Sequence, residues 1–510
     1  MSWSEGYMAD TEYTSHYFAE LAPPLLDLAA LTAGVMPPER ENGRFRYCEL
    51  GCGNGMTTNI LAACYPNAEF VGIDFMPVHI ANSRRAAKRG GLKNARFLEL
   101  SFADAAKEDL GQFDYIVAHG VYSWVSPQNR QEMVEFYRRF LAPGGLIYLS
   151  YNTNPGWLGI SPVQKVVSEY ARTLRGPSPA RTQAGFEFSA KLLNLGAAAF
   201  KLYPGASQQI EKAPTQPANY LSQEYLNEAW YPLYVTDVFR ELAPAKLEYV
   251  ASATLAENDF RFLMTDELAA VVREQPTEEL RQLVKDITIN ARFRRDIYSK
   301  GGRRLSGLDQ RQMLKERSFA LIKNAEEVNF NITYLTRQLS VDTPSARAIV
   351  AALAGGTKTL GELMIQATGA QDSLRVTLEV LLALCIGGWV QPVDRKQSIG
   401  SEMNRSLTAA ALEDTACNTV ATTLGGGLLV NPYELALLSS PSSLESVDTG
   451  LEYLKSLAER KGRNFITKNR LTGEAEDVDA YLREQVVNIL KRVEVFQTFG
   501  LLPAHFKTKG

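Results

Sequence analysis

The chain has 510 residues, of which 45% are apolar and 22% charged. That composition belongs to a globular protein of about three or four domains rather than to a disordered one. The net charge of −3 gives no overall attraction to nucleic acid or to an anionic membrane.

Cysteine, histidine and hydropathy patterns exclude further classes of protein. The five cysteines form no C-x-x-C pair and are accompanied by only four histidines, so neither a disulfide framework nor a metal site is expected. The first residues are acidic where a leader peptide needs basic residues and then an apolar stretch. The longest uncharged apolar run, residues 380–390, is about half of the roughly 20 residues that span a bilayer. We therefore predict a cytoplasmic, multidomain protein without metal and without membrane insertion.

Residues 45–150 alternate between short strand-forming runs and helical stretches. Ser126 can cap the clearest helix, and Pro127 suits its first turn. Strands separated by helices predict an α/β fold with a doubly wound, mostly parallel sheet, which binds ligands beyond the carboxyl ends of its strands. The predicted strands are residues 45–50, 69–74, 96–100, 113–118 and 146–151, and the predicted helices are residues 56–64, 77–89 and 127–141.

After residue 160 the pattern is mainly helical. An apolar alternation over residues 247–255 predicts one further strand. Residues 340–395 contain two helical stretches, a strand at Trp389-Val390 and a polar tip, which predicts a winged-helix-like unit. An apolar stripe through residues 482–496 predicts an amphipathic helix in the tail.

The first predicted strand runs into the glycine-rich sequence Glu49-Leu50-Gly51-Cys52-Gly53-Asn54-Gly55. Glycines at a strand-to-helix turn allow a ligand to approach the backbone, although a tight turn alone would also need them. A dinucleotide fingerprint would place its third glycine where this chain has Met56. The G-x-G-x-G spacing with Glu49 before it suits a ligand with an amino-acid end, whose ammonium the acid can attract.

Acids follow the second and third strands as well. Asp74 can accept both hydroxyls of a ribose. After the third strand, Phe102 can lie against a purine and Asp104 can accept from its exocyclic amine, or Asp104 can serve only as a helix cap. The three sites in order fit an amino acid, a ribose and an adenine, which is the order of parts in S-adenosylmethionine.

The loops after the fourth and fifth strands should face the reacting methyl group. His119 can act as a general base or only hydrogen-bond the cofactor or backbone, and we expect the second role. We predict that an aromatic channel lowers the hydration of the methyl acceptor. The predicted catalytic or channel residues are Tyr13, His119, Tyr122, Trp124, Asn152 and Trp157, with Tyr151 as a further channel aromatic.

Residues 45–150 resemble class I S-adenosylmethionine-dependent methyltransferases. The segments 13–18, 119–125 and 150–157, together with residues 220–255 and 293–296, resemble bacterial protein-lysine methyltransferases that carry a methyltransferase regulatory domain, known from rickettsial enzymes acting on outer-membrane proteins. The resemblance implies that residues 13–18 close over the cofactor. The predicted cofactor-binding residues are Tyr13, Ser15, Glu49, Gly51, Gly53, Asp74, Phe75, Ser101, Phe102, Asp104 and His119.

The resemblance also sets the expected organisation and function. We predict a methyltransferase domain over residues 1–215, a regulatory domain over 216–305, a winged-helix-like domain over 306–396 and a helical domain over 397–510. The expected reaction is N-methylation of lysines in an extended or unfolded protein substrate. Because every cofactor motif lies before residue 158, we expect residues beyond about 300 to recognise that substrate. A small-molecule methyltransferase whose extra domains form a lid or a homodimer interface is the alternative.

A basic segment raises a third class, nucleic-acid methylation. Residues 281–323 contain twelve Lys/Arg and four Asp/Glu, a local charge of 12 − 4 = +8. The presumptive recognition helix nevertheless carries Asp372, Arg375 and Glu379, which is too acidic for a phosphate-lined groove. We expect a protein partner and no nucleic acid.

Overall fold

The computed structural model describes residues 16–368, 374–394, 401–412, 418–461 and 478–508, together with Gly6, Met8 and Asp10. Three parts follow one another along this chain. The first contains a large sheet, the second a small sheet with helices, and the third is mainly helical. In the described part of the chain, no helix is long and apolar enough to cross a membrane.

A seven-stranded sheet organises the first 300 residues. Its strand order is β3-β2-β1-β4-β5-β7-β6, with β1 to β5 parallel and with β7 antiparallel to both β5 and β6. The predicted doubly wound, mostly parallel sheet is confirmed. The strands are β1 (Arg46–Leu50), β2 (Glu69–Asp74), β3 (Ala95–Glu99), β4 (Phe113–Ala118), β5 (Leu141–Asn152), β6 (Leu247–Ser252) and β7 (Phe293–Lys300).

Helices cover both faces of this sheet. In α5, Ser126 Oγ accepts the backbone N–H of Asn129 at 3.1 Å, and Pro127 occupies the first turn, as the sequence predicts. Its apolar stripe, which includes Met133 and Phe136, is buried against the sheet. The helices up to β5 are α1 (Pro23–Thr32), α2 (Met56–Cys64), α3 (Pro77–Arg89), α4 (Phe102–Ala105) and α5 (Pro127–Phe140).

Strand β7 is the one strand of the seven-stranded sheet that the sequence analysis does not predict. Its charged residues obscure the strand pattern, yet Arg294 and Asp296 are both buried. The Arg294 guanidinium pairs with Asp286 at 2.5 Å and with Asp296 at 2.9 Å, so these buried charges compensate one another. Because β7 lies between β5 and β6, the later segment completes the same sheet.

A helical excursion separates β5 from β6. Within it, helix α10 packs against α7, where the Thr182 and Ser222 hydroxyls are 3.0 Å apart. The helices from here to β7 are α6 (Ser161–Arg172), α7 (Ser178–Asn194), α8 (Ala198–Leu202), α9 (Pro204–Lys212), α10 (Ala218–Leu226), α11 (Val235–Leu242), α12 (Asp266–Arg273) and α13 (Glu278–Ile289).

The second part contains helices packed on a three-stranded antiparallel sheet of order β11-β8-β12, consistent with the predicted winged-helix-like unit. Of the helix residues discussed above, Arg375 and Glu379 form an ion pair at 3.0 Å, and Asp372 lies outside the described residues. The elements are α14 (Gly307–Lys315), β8 (Ser318–Leu321), β9 (Asn331–Tyr334), β10 (Arg337–Ser340), α15 (Pro344–Ala354), β11 (Lys358–Thr359), α16 (Leu360–Thr368), α17 (Leu374–Ile386) and β12 (Val390–Val393).

The third part packs directly onto the large sheet domain. One continuous apolar core includes Leu26 and Ile60 from the first part and Val420, Leu454 and Phe496 from the third. The elements are α18 (Ser401–Leu412), β13 (Thr419–Ala421), β14 (Gly427–Leu429), α19 (Pro432–Leu438) and α20 (Val447–Lys461), followed by helices at Val478–Leu490 and Val493–Thr498.

Candidate active site

A cavity of about 380 Å³ opens at the carboxyl ends of β1 to β4. This is the place where a doubly wound sheet binds ligands, and the volume lies in the usual range for a small-molecule site. The lining residues are Gly51, Gly53, Asp74, Phe75, His79, Glu99, Leu100, Ser101, Phe102, Asp104, His119, Gly120, Val121, Trp124, Val125, Ser126, Asn129, Gln223, Glu224, Asn227 and Ala229.

The glycine turn after β1 forms one wall of this cavity. Gly51 and Gly53 have φ values of 70° and 52°, which disfavour side chains. A Cβ on Gly51 would also come within 2.4 Å of Val121, whereas a Cβ on Gly53 would meet nothing within 4 Å. Gly51 is therefore required by packing, and Gly53 leaves an open backbone surface on which a ligand can lie.

Asp74, at the end of β2, organises the adjoining wall. One carboxylate oxygen accepts the Gly53 N–H at 2.9 Å, and the other accepts the Met76 N–H at 2.9 Å and lies 3.3 Å from His79 Nδ1. A carboxylate has about four acceptor positions, so room remains for ligand hydroxyls. His79, five residues after Asp74 on α3, is a lining residue that the sequence analysis missed.

The segment after β3 supplies Ser101, Phe102 and Asp104. Ser101 caps α4 by accepting the Asp104 N–H at 3.1 Å and donates its hydroxyl to the Asp104 carboxylate at 2.7 Å. That hydrogen bond and Lys107 hold the pKa of Asp104 below its usual value. Asp104 is exposed, so it combines a role in the helix terminus with a position on the cavity wall.

Glu49 lies deeper than the predicted ammonium site requires. Its side chain is buried and is not among the cavity-lining residues, and its carboxylate accepts the Thr58 hydroxyl. Burial raises the pKa of Glu49 to about 7, although the Thr58 hydrogen bonds oppose the shift. In this arrangement Glu49 supports the turn from below, through α2.

His119, at the end of β4, is held on two sides. Its Nδ1 lies 2.8 Å from the Tyr148 hydroxyl, and the Phe18 ring lies over it with centroids 3.8 Å apart. Burial, assisted by the positive charge of Arg295, lowers the pKa of His119 to about 3. A base with so low a pKa is poorly matched to reactions near neutral pH. This geometry favours the hydrogen-bonding role over the general-base role.

The amino-terminal segment reaches the same place. The Phe18 N–H donates to Thr57 Oγ1 at 3.3 Å, next to the glycine turn. Further back, the Met8 N–H donates to Asn227 at 3.0 Å and Asp10 accepts from Ser178 at 2.8 Å. Tyr13 and Ser15 lie outside the described residues.

The predicted channel aromatics separate into two groups. Trp124 lines the cavity. Tyr122 and Tyr151 are instead buried in the core and donate their hydroxyls to Glu241 and Asp296, each at 2.7 Å. Trp157 is also buried, and its Nε1 donates to the Arg292 carbonyl at 2.8 Å. The structure therefore corrects the placement of these three rings, which pack the site rather than line it.

Asn152 lies at the last position of β5. Strand alternation puts it on the same face as Ser150, whose hydroxyl is 3.4 Å from His119 Nδ1. Its side chain is buried, and among the described residues its Nδ2 has no hydrogen-bond partner. A buried amide donor without a partner is costly, and Asn152 is not itself among the cavity-lining residues.

Helix α10 and the residues that follow it supply the remaining wall. The lining residues are Gln223, Glu224, Asn227 and Ala229. The sequence analysis connects residues 224–226 only with the regulatory-domain resemblance and assigns them no place in the site. No local signal brings α10 to the sheet edge, because the contact spans about a hundred residues of chain.

Two family models match the sequence. One described as a methyltransferase domain matches residues 48–147, and one described as a predicted methyltransferase regulatory domain matches residues 217–300. The first match covers β1 to β4 and the start of β5. The second covers α10 through β7, and therefore includes both a cavity wall and two strands of the main sheet.

Similar proteins support this assignment. The uncharacterized protein sll1526 of Synechocystis sp. is 32% identical over 487 residues, which are 94% of this chain and 96% of that protein. A trans-aconitate 2-methyltransferase of Streptomyces avermitilis is 30% identical over 155 residues, 30% of this chain and 53% of that protein.

Among solved structures, PKMT2 from Rickettsia typhi in complex with AdoHcy has the same fold. Its TM-score is 0.68 at 19% identity, over 95% of this chain and 99% of that one. The chain belongs to the class I S-adenosylmethionine-dependent methyltransferases that carry a methyltransferase regulatory domain.

Proposed function

We propose that this enzyme transfers a methyl group from S-adenosylmethionine to lysine side chains of a protein. The observation that carries the proposal is the fold match to PKMT2, which extends over 95% of this chain and so includes the domains after the sheet. The match to the trans-aconitate enzyme covers only 30% of the chain. An architecture retained over its whole length supports a substrate large enough to use it.

The residues of the cavity fit the cofactor. The Gly53 backbone is open to a ligand, Asp74 retains free acceptor positions for a ribose, and Phe75 and Phe102 offer ring faces for an adenine. When bound, S-adenosylmethionine supplies an electrophilic methyl group on a sulfonium. The chain's task is then to align an amine with that methyl group and to exclude water.

The protonation of lysine is the main obstacle. With a pKa near 10.4, only about one lysine in 2,500 is neutral at pH 7. An apolar, water-poor site disfavours the ammonium form. Phe18, Val121 and Trp124 provide such surroundings next to a neutral His119.

Alignment of the amine with the methyl group supplies the rest of the rate enhancement. His119 is fixed by Tyr148 and Phe18, and Gly120 N–H donates to Ser150 Oγ at 2.8 Å, so the loop after β4 is held rigidly. A rigid loop keeps the acceptor in line with the methyl group at no further entropic cost during the reaction.

The test is incubation of fractionated host lysate with methyl-labelled S-adenosylmethionine. We expect label in protein, recovered as methyl-lysine after acid hydrolysis, and no transfer by an Asp74→Ala control. Label confined to small metabolites would instead establish the small-molecule alternative, and label in nucleic acid would contradict both.

A further inference from the structure

Glu224 is a carboxylate that lines the cavity without a hydrogen-bond partner among the described residues. It lies on α10, partly buried, with Gln223 and Asn227 as neighbouring lining residues. The described neighbours of Asp74, Glu49 and Asp104 already hydrogen-bond to those three carboxylates. Unlike Glu99, which lines the cavity but is exposed, Glu224 combines partial burial with a carboxylate that no described residue hydrogen-bonds.

Its surroundings place Glu224 on the side of the cavity away from the ribose site. The charged group that acts on it is Arg292, whose guanidinium stacks on Trp157 at 5.0 Å. Arg292 immediately precedes β7, the neighbour of β5 in the sheet. Asp74 and Ser101, by contrast, follow β2 and β3, on the other side of β1 and β4.

We propose that Glu224 receives the ammonium group of the methyl acceptor and removes one proton from it before transfer. This role rests on the proposed function, because it requires an amine as acceptor. One N–H bond of the ammonium breaks and one O–H bond forms on the carboxylate. The neutral amine then attacks the sulfonium methyl group, its lone pair forms the new N–C bond, and the C–S pair remains on the departing thioether sulfur.

The electrostatics of the site agree with that role. Burial raises the pKa of Glu224 to about 7, and Arg292 opposes the shift. Burial lowers the pKa of an ammonium group, so the difference between its pKa and that of the carboxylate is smaller inside the cavity than in water. A carboxylate that titrates near neutral pH is well matched to accept a proton there.

The titratable groups around Glu224 come from its own helix and from the cavity wall. On its own helix Tyr220 and Tyr225 have pKa values that burial raises above the usual range. Helices α6 and α7 contact α10 through uncharged groups, such as Gln164 with the Tyr225 carbonyl and Thr182 with Ser222. The other titratable side chains lining the cavity are Asp74, His79, Glu99, Asp104 and His119.

The first experiment measures methylation of poly-L-lysine by the full-length enzyme as a function of pH. We expect kcat/KM of the wild type to rise with pH through an ionisation near 7. For Glu224→Gln we expect at least a roughly 100-fold loss at pH 7, with the rate then rising about tenfold per pH unit as lysine itself loses its proton. Glu211→Gln, an exposed carboxylate on the neighbouring α9, is the matched control and should behave as wild type.

The second experiment does not depend on catalysis. Calorimetry follows n-butylammonium binding to the enzyme saturated with S-adenosylhomocysteine, and we expect at least a tenfold loss of affinity in Glu224→Gln and none in Glu211→Gln. Unchanged amine binding, or an unchanged pH profile in Glu224→Gln, would overturn the assignment. If butylammonium binding depends on Glu224 while poly-L-lysine is not methylated, the protein-lysine substrate is wrong and the amine site stands.

Discussion

The two halves of the cavity are built in different ways. In the half formed by β1 to β3, Gly53, Asp74 and Ser101 come from short turns within about 60 residues of chain, and their polar groups already hydrogen-bond to one another or to nearby backbone. In the half formed by the loop after β4 and by α10, the walls come from segments about a hundred residues apart, including Trp124 and Glu224, and Phe18 packs on His119.

Polar groups without hydrogen-bond partners among the described residues lie on or near the second half. Among the described residues, Asn152 Nδ2 and Trp230 Nε1 are buried without a hydrogen bond, and Glu224 has none. Groups of this kind cost stability unless a ligand binds them. The comparison teaches that the polar groups of the first half are largely hydrogen-bonded before a ligand arrives, whereas the second half keeps polar groups that a ligand can bind.

The largest loss of cofactor affinity should follow from a substitution in the first half of the cavity. Asp74→Ala removes the acceptor for the ribose hydroxyls as well as the bonds that shape the glycine turn. Two hydrogen bonds to a charged group are worth roughly 1.5–3 kcal/mol each, so S-adenosylhomocysteine should bind about 10²- to 10⁴-fold more weakly. Calorimetry measures this, with circular dichroism to verify folding.

Asp104→Ala is the comparison for that variant, because its carboxylate is exposed and paired with Lys107. We expect it to weaken binding by no more than about tenfold, as exposed pairs contribute little. Equal losses in the two variants would contradict the special position of Asp74.

A substitution at the second half should have a smaller effect, on methyl transfer rather than on cofactor affinity. Asn152→Ala removes a donor that no described residue uses, so cofactor affinity should stay within about threefold while methyl transfer falls about tenfold, or ~1.4 kcal/mol. Binding calorimetry and single-turnover transfer separate these two quantities.

Tyr122→Phe is the control, since it deletes only the core hydrogen bond to Glu241. It should lower the thermal unfolding temperature and leave kcat unchanged. An Asn152→Ala variant that lost cofactor affinity and transfer in parallel would assign Asn152 to the cofactor half.

The smallest effect is expected for His119→Gln, and it concerns the pH dependence of kcat/KM. The pKa of His119 lies near 3 in the folded protein, so His119→Gln should preserve the pH profile of kcat/KM and reduce cofactor affinity only several-fold. Loss of an ionisation near neutral pH in that variant would restore the general-base role.

Stability provides an independent check on His119. Its folded pKa is below the usual value of about 6.5, so the unfolded chain binds a proton that the folded chain does not, and stability falls as pH drops from about 6.5 toward 3. Urea unfolding at pH 7 and pH 4.5 should show a smaller loss for His119→Gln than for wild type.

The same contrast explains how far the sequence could predict the site. Asp74 ends a strand, and Gly51, Gly53 and Phe102 lie within three residues of a strand end, so chain order alone brings them to one edge. The structure places all four on the cavity wall. The strands β1 to β5 and helix α5 follow from local patterns in the same way.

The sequence analysis misplaced or missed residues whose position depends on which face of a strand they occupy or on contacts between distant segments. Tyr151 lies between Ser150 and Asn152 on β5, so alternation directs it to the opposite face, where it binds Asp296. Glu224 reaches the cavity only because α10 folds back over the sheet. Strand β7 was missed because a sequence pattern treats Arg294 and Asp296 as exposed charges. In the structure the two side chains form an ion pair inside the core.

Two adjacent residues, Tyr17 and Phe18, contact two different parts of the molecule. The Tyr17 hydroxyl accepts the N–H of Gly427 at 2.8 Å, in the third part of the chain, while Phe18 covers His119 at the cavity. One backbone step thus joins a distant domain to the mouth of the site. By thermodynamic reciprocity, a ligand that favours the seated position of Phe18 strengthens the docking of that domain by the same factor by which the docked domain strengthens ligand binding.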